Sequence, residues 1–332
     1  MIIRIIFLFF IYNKIKNICE LKKENLLIVN SIKQDNEIEE LNIYKISENN
    51  LYTKIQFNNY LNVEKIKNLS ELRNGDLLIT QKNNFKIVRF IKESEFKFEF
   101  NIIQNQKLEG EEIIQIIELI NGNLVCISKI LNGGGNNIIF WEKNLITDIY
   151  EKVEQKNLTK IPFSIIELNK YSFLVIFKEG IFSIFSSKTN KELIKFTKIN
   201  NYNPEQEIEK MIKYNEKNIL FFFQKGLFIY NILLNEISNI FAFGFNIIDL
   251  SIIQNYNRIF LISQSEKNDN TGIIPLYLNP MTRQFDYEEI IEKIHNNKIT
   301  CIKILNNGDL VTGSLDKYMK IWKIKKNNKN IN

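Results

Sequence analysis

Ile66-KNLSE-Leu72-RNGD-Leu77 holds the pattern on which the chain is built: an apolar residue, five more, a leucine, four polar turn residues, then a second apolar run. It returns in the same register, without a gap, as Ile15-KNICE-Leu21-KKEN-Leu26, Ile113-IQIIE-Leu119-INGN-Leu124 and Ile299-TCIKI-Leu305-NNGD-Leu310. Three looser copies fill the interval: Pro162-FSIIE-Leu168-NKYS-Phe173, Ile208-EKMIK-Tyr214-NEKN-Ile219 and Ile248-DLSII-Gln254-NYNR-Ile259. The starts at 15, 66, 113, 162, 208, 248 and 299 lie 51, 47, 49, 46, 40 and 51 residues apart. Seven units of this length are what propeller blades of four short strands require.

Each phrase reads as two strands joined by a hairpin, with Asn-Gly-Asp or an Asn/Lys/Glu substitute at the turn. The second strands, such as Leu77-Leu-Ile-Thr80 and Ile219-Leu-Phe-Phe-Phe223, scarcely alternate, as suits strands covered on both faces. A third strand follows in each unit, among them Lys86-Ile-Val-Arg-Phe90, Asn137-Ile-Ile-Phe-Trp141 and Met319-Lys-Ile-Trp322. A fourth, more polar segment such as Phe96-Lys-Phe-Glu-Phe100 alternates, as an outer strand with one wet face should. A helical solenoid is disfavoured, because β-branched and aromatic residues dominate the runs and the one amphipathic stretch, Tyr287 to Ile294, is isolated. The expectation is an all-β fold: a seven-bladed β-propeller of four-stranded antiparallel blades, forming a single domain over 1–325 with a short polar, basic tail at 326–332.

Composition agrees. The apolar fraction of 45% is ample for a core, and Ile and Phe suit a pleated surface. With only 12 Gly and 4 Pro, Asn has to supply many of the turns. The net charge of +6 is a mild excess spread along the chain, gathered only at Lys323, Lys325, Lys326 and Lys329. No dense basic stripe with interleaved aromatics marks a nucleic-acid footprint, so none is expected to bind. Cys19, Cys126 and Cys301 are an odd number without close spacing, which indicates neither a disulfide framework nor a metal site and fits a reducing, cytoplasmic setting.

The last unit carries more than periodicity. His295-NNKITCIKILNNGDLVT-Gly313-Ser314-LDKYMKI-Trp322 resembles a WD40 repeat, in which a His precedes the first strand, Gly-Ser closes the second, Asp opens the next turn and Trp ends the third. The resemblance implies a structural tetrad of His295, Ser314, Asp316 and Trp322: Asp316 bonded to the imidazole, the imidazole to Ser314, and Ser314 to the indole nitrogen of Trp322. Unit three shares the tryptophan at Trp141, while Lys143 and Lys323 fall roughly where the family has an Asp after the Trp. His295 is the only histidine, and no nucleophile or ligand cluster is placed to join it. Gly133-Gly-Gly135 lacks the lysine and helix of a phosphate loop and reads as a hairpin tip. No catalytic residue, cofactor site or metal site is therefore assigned.

Unit seven runs out of apolar residues after its third strand, whereas Ile2 to Ile11 has strand composition and precedes unit one. Propellers of the WD kind close their ring by borrowing a strand from the N-terminus, and an unclosed sheet would leave a bare edge. Residues 2 to 11 are expected to be that closing strand. The alternative is a secreted or membrane-delivered propeller with residues 1–15 as a signal; the run is too short to span a bilayer as a helix and lacks small residues at a cleavage site. The function the resemblance implies is a non-catalytic scaffold whose loop surfaces receive protein or peptide partners.

Overall fold

The computed structural model describes residues 2–11, 14–32, 39–47, 49, 51–55, 65–94, 97–199, 208–215, 217–234, 236–243, 245–253, 258–264, 271–279, 285–287, 291–292 and 294–325. The elements described are all strands, in seven four-stranded antiparallel sheets: a seven-bladed β-propeller. The polar tail expected at 326–332 lies outside the described residues.

Blade one is β2 (Lys14–Leu21), β3 (Leu26–Ile32), β4 (Glu39–Ile46) and β5 (Tyr52–Lys54), and blade two is β6 (Asn68–Glu71), β7 (Leu77–Thr80), β8 (Asn84–Lys92) and β9 (Phe98–Lys107). Blade three is β10 (Glu111–Glu118), β11 (Leu124–Ile130), β12 (Asn136–Lys143) and β13 (Tyr150–Leu158). Blade four is β14 (Pro162–Asn169), β15 (Ser172–Phe177), β16 (Ile181–Ser186) and β17 (Glu192–Lys198). Blade five is β18 (Ile208–Lys213), β19 (Asn218–Phe223), β20 (Gly226–Asn231) and β21 (Glu236–Ala242). Blade six is β22 (Asn246–Ile253), β23 (Arg258–Gln264), β24 (Thr271–Leu278) and β25 (Phe285–Tyr287). Blade seven takes β26 (Ile299–Ile304), β27 (Leu310–Ser314) and β28 (Tyr318–Lys325), and its fourth strand is β1 (Ile2–Phe10). β1 pairs antiparallel with β28, Ile5 opposite Trp322 and Phe10 opposite Tyr318, as the closing-strand reading expects.

The repeated phrase has a physical reason at each position. Its first strand carries a bulge just after the opening apolar residue, at Ile15/Asn17, Ile113/Gln115, Pro162/Ser164, Ile208/Lys210 and Ile299/Cys301. Its hairpin is locked twice. Leu72 N–H donates to Asp76 O at 2.8 Å and Gly75 N–H to Leu72 O at 2.8 Å, with the same pair of bonds at Leu119/Asn123 and Leu305/Asp309. Gly75, Gly122 and Gly308 sit at φ 91°, 86° and 86°, a left-handed conformation that the turn requires and glycine adopts without steric cost. The Asn before each glycine accepts from the N–H two residues on, at 3.1, 3.1 and 3.0 Å for Asn74, Asn121 and Asn307.

Blade six departs from the expected frame by one residue. Its bulge falls between Ile247 and Asp249, and Ile247 and Leu250 are the buried side chains. Ile252 opposes Ile259 as Glu118 opposes Leu124, so the phrase starts at Ile247 rather than Ile248 and its hairpin is one residue longer. That extra residue is why a polar Gln254 appeared in the middle position.

One regularity at the hairpins has a clear partner. Glu20, Glu71, Glu118 and Glu167 all stand immediately before the middle leucine of their phrases. Glu20 accepts from Asn306 N–H at 2.8 Å, Glu118 from Arg73 N–H at 2.5 Å and Glu167 from Ile120 N–H at 2.5 Å. These three carboxylates thus cap the hairpin of the preceding blade. In blade five Lys213 holds the equivalent place and donates instead to Leu168 O.

The chain divides into two compact units: Met1–Lys65 with Ile91–Glu99 and Phe243–Asn332, and Ile66–Phe90 with Phe100–Ala242. In the first, blades seven and one pack through Ile15, Leu27, Val29, Cys301, Val311 and Ile321, and blades six and seven through Phe260, Ile262, Ile302 and Trp322. In the second, blades two and three meet at Leu78, Ile87, Ile116 and Trp141, blades three and four at Ile127, Phe140, Phe173 and Val175, and blades four and five at Leu174, Ile176, Phe221 and Phe228.

Candidate functional site

The sequence singled out blade seven, and a buried hydrogen-bond chain runs through it. Trp322 Nε1–H donates to Thr312 Oγ1 at 2.9 Å, and Thr312 Oγ1 lies 2.8 Å from His295 Nε2. His295 Nδ1 lies 2.9 and 3.1 Å from the two Asp316 carboxylate oxygens. An indole N–H can only donate and a carboxylate can only accept, so Thr312 Oγ1 accepts from Trp322 and Asp316 accepts from His295 Nδ1–H. Burial favours the neutral imidazole, in which Nε2 accepts a hydrogen bond from the Thr312 hydroxyl while Nδ1–H donates to Asp316.

Ser314 is not in this chain. Its Oγ accepts from Asp316 N–H at 3.0 Å and donates to Asn297 O at 3.1 Å. The register explains the difference. Trp322 pairs with Leu310, so its diagonal neighbour on the same face is Thr312; Ser314 is four residues from Leu310 and ~13 Å along the strand. The resemblance named four residues; the structure brings His295, Asp316 and Trp322 together and places Thr312 where Ser314 was expected. Strand alternation counted back from Trp322 could have found it.

Burial pushes the His295 pKa below its ordinary value of 6.5, against the opposing pull of Asp316. Burial pushes the Asp316 carboxyl up, but bonds from His295 and from Asn296 and Tyr318 N–H outweigh it and hold the group at about 2. Both groups therefore bind protons less readily in the folded state. The His295 contribution to stability is complete above pH 6.5 and is lost as pH falls below that value; the Asp316 contribution is present above 3.8 and lost as pH falls toward about 2. The expected result is a melting temperature that declines in two acid steps. His295→Gln should remove the upper step and shrink the lower, since His295 is the first of the partners that hold Asp316 down, as thermal melts across pH would show.

Blade three repeats the tryptophan without the rest. Trp141 pairs with Leu124 as Trp322 pairs with Leu310, so Cys126 occupies the place of Thr312. The Trp141 indole nitrogen is buried and has no hydrogen-bond partner among the described residues. Cys126 is buried, and burial raises its thiol pKa far above the ordinary value. Cys126→Ser, which adds a hydroxyl acceptor at almost constant volume, should stabilise the protein by about 1 kcal/mol in chemical denaturation.

Two further carboxylates are held at hairpins, Asp309 by a tyrosine of blade one and Asp76 by an arginine of its own blade. Asp309 accepts from Tyr52 Oη at 2.9 Å and from Asn307 Nδ2 at 3.0 Å. At the same repeat position Asp76 takes a bidentate pair of bonds from Arg89, both 2.9 Å, and Arg89 also reaches Asp148 at 3.0 Å. Lys143, two residues after Trp141, pairs with Asp148 at 2.9 Å. Among the described residues no group of three or more His, Cys, Asp or Glu is placed to hold a metal, and no helix is long and apolar enough to cross a membrane.

No family model matches the chain, and no curated protein matches it either. Among solved structures it is similar to a chain in the crystal structure of the mitotic checkpoint complex, at 10% identity and a TM-score of 0.66, over 97% of this chain and 92% of that one. A likeness at that identity shows the fold, a β-propeller.

Proposed function

We propose that this chain is a non-catalytic scaffold of the WD40 kind, cytoplasmic, which receives protein or peptide partners on loops at the blade ends. The observation that carries the reading is the pinning of a loop by the buried network. Asp316 accepts from Asn296 N–H at 2.9 Å and Ser314 donates to Asn297 O, so the connection entering blade seven is fixed to the turn after β27. Asn296 and Asn297 are left exposed on a backbone that cannot drift. A loop ordered before binding loses less entropy on binding, which suits recognition. His295, the only histidine of the sequence, has both ring nitrogens engaged. The order Asp-His-Thr-Trp supports the WD40 reading, and the likeness to a component of a multi-protein assembly is consistent with protein partners. Three buried cysteines are consistent with a reducing compartment.

The secretory alternative needs residues 1–15 to be removed, whereas Ile2–Phe10 is paired with β28. N-terminal sequencing of the mature protein separates the two. Affinity capture with the tagged full chain, read by mass spectrometry, tests the scaffold. A stoichiometric protein partner is expected, and Asn296→Arg should reduce its recovery by roughly tenfold. Retention of nothing beyond a tag-only control would overturn the reading.

A further inference from the structure

The most exposed large apolar side chains among the described residues are Ile146 at 96%, Leu145 at 88%, Leu233 at 73%, and Leu234 and Tyr171 at 65%. All five lie on hairpins at one end of the second unit. Leu145 and Ile146 tip the β12–β13 hairpin of blade three, Leu233 and Leu234 tip the β20–β21 hairpin of blade five, and Tyr171 tips the β14–β15 hairpin of blade four. Hydrogen bonds tie this end together: Asn121 Nδ2 of blade three donates to Ser187 O of blade four at 2.7 Å, and Ser187 N–H to Tyr171 O at 2.8 Å.

The tips are preformed. Asn144 Oδ1 accepts from Ile146 and Thr147 N–H at 3.0 and 3.3 Å, and Asn231 Oδ1 accepts from Leu233 and Leu234 N–H at 3.0 Å each. In blade four, between them, Ser186 Oγ makes the same turn with Lys188 and Thr189 N–H, but there the tip is polar and basic. The row therefore reads apolar, basic, apolar. Lys170, Lys188, Lys191 and Lys217 are exposed on the hairpins of blades four and five, against the exposed carboxylates Glu192 and Glu236; on the hairpins of blades two and three Arg73 and Lys152 are exposed against Glu142 and Glu151.

We infer that this hairpin end docks on an anionic lipid bilayer. A protein hot spot is one contiguous, desolvated centre, and these apolar tips are separate protrusions with a lysine-bearing tip between them. A bilayer interface accepts separate apolar protrusions and adds attraction between lysines and anionic headgroups. The inference does not rest on the scaffold reading and fails or stands separately from it.

Vesicle flotation of the full chain tests it, with phosphatidylcholine vesicles doped with phosphatidylserine against phosphatidylcholine alone. The chain should float with the doped vesicles, less at high salt, and stay behind with the neutral ones. Lys188→Ala and Lys170→Ala should each weaken binding roughly fivefold. A variant with serine at Leu145, Leu233, Leu234 and Ile146 should lose binding more than tenfold and melt at the wild-type temperature, since those side chains support no core. Ile146→Trp should show a blue-shifted emission on doped vesicles. Failure of the wild type to float, or flotation of the four-serine variant equal to wild type, overturns the proposal; so does a protein partner that requires these tips while vesicles do not bind.

Discussion

Thr312→Val will destabilise the protein by about 3–4 kcal/mol, while Ser314→Ala will cost only ~1 kcal/mol. Valine preserves the branched shape at a fully buried strand position, so packing changes little. What it removes is the hydroxyl that serves two buried partners. The indole N–H of Trp322 then has no acceptor and His295 Nε2 has no donor. Each buried group left unmatched costs about 1–3 kcal/mol, and these two are lost together. Ser314 is as buried as Thr312, but it lies at the end of β27, where its partners are the Asp316 N–H and the carbonyl of exposed Asn297, and its loss leaves neither an indole nor an imidazole unmatched. Thr312→Ser, keeping the hydroxyl, should recover most of the difference. Urea unfolding followed by tryptophan fluorescence measures all three. If Ser314→Ala proves the costlier change, the indole is bonded as the family resemblance first implied.

The fold was legible because the repeat is enforced by backbone geometry. An Asn-Gly pair in a tight hairpin, an apolar residue at each buried place and a constant eleven-residue interval from Ile113 to Leu124 or Ile299 to Leu310 leave marks that degenerate slowly. Where one hairpin lengthened, in blade six, the reading slipped by one residue, because counting through a loop carries no information about its bulges. The network was legible in its ends and not in its middle. His, Asp and Trp are rare and positionally distinct, whereas Thr312 and Ser314 are two similar hydroxyls on one face of one strand; only the pairing of Leu310 with Trp322 separates them. The three capping glutamates were visible as letters in their phrases, but their partners belong to a different blade and lie up to 286 positions away. A sequence shows a repeated residue; it does not show that its donor lies in the neighbouring repeat.

Gly313→Ala should cost about 2–3 kcal/mol, and Gly313→Val more, although the glycine lies in a strand where alanine is normally harmless. A Cβ at this position would sit 2.4 Å from Ile15 Cγ2, 3.0 Å from Ile15 Cβ and 2.8 Å from Cys301 Sγ. Cβ of Ile15 is the stem of the side chain, which cannot swing aside, and Ile15 is buried where blade one packs on blade seven. The strain must therefore go into the backbone. Thr300 Oγ1 shows how close the two blades already are, donating to Ile15 O at 2.6 Å within bonding reach of Gly313 O at 3.1 Å. Pushing β27 away from β2 stretches both contacts. The explanation predicts a specific non-additivity. Ile15→Ala alone opens a cavity and costs about 2–5 kcal/mol. Combined with Gly313→Ala, the new methyl occupies part of that cavity, so the double variant should be more stable than the sum of the two losses by about 1–2 kcal/mol. Additive losses would mean that the glycine is needed for its backbone freedom. Its φ argues otherwise, since Gly313 is not among the residues in the left-handed region.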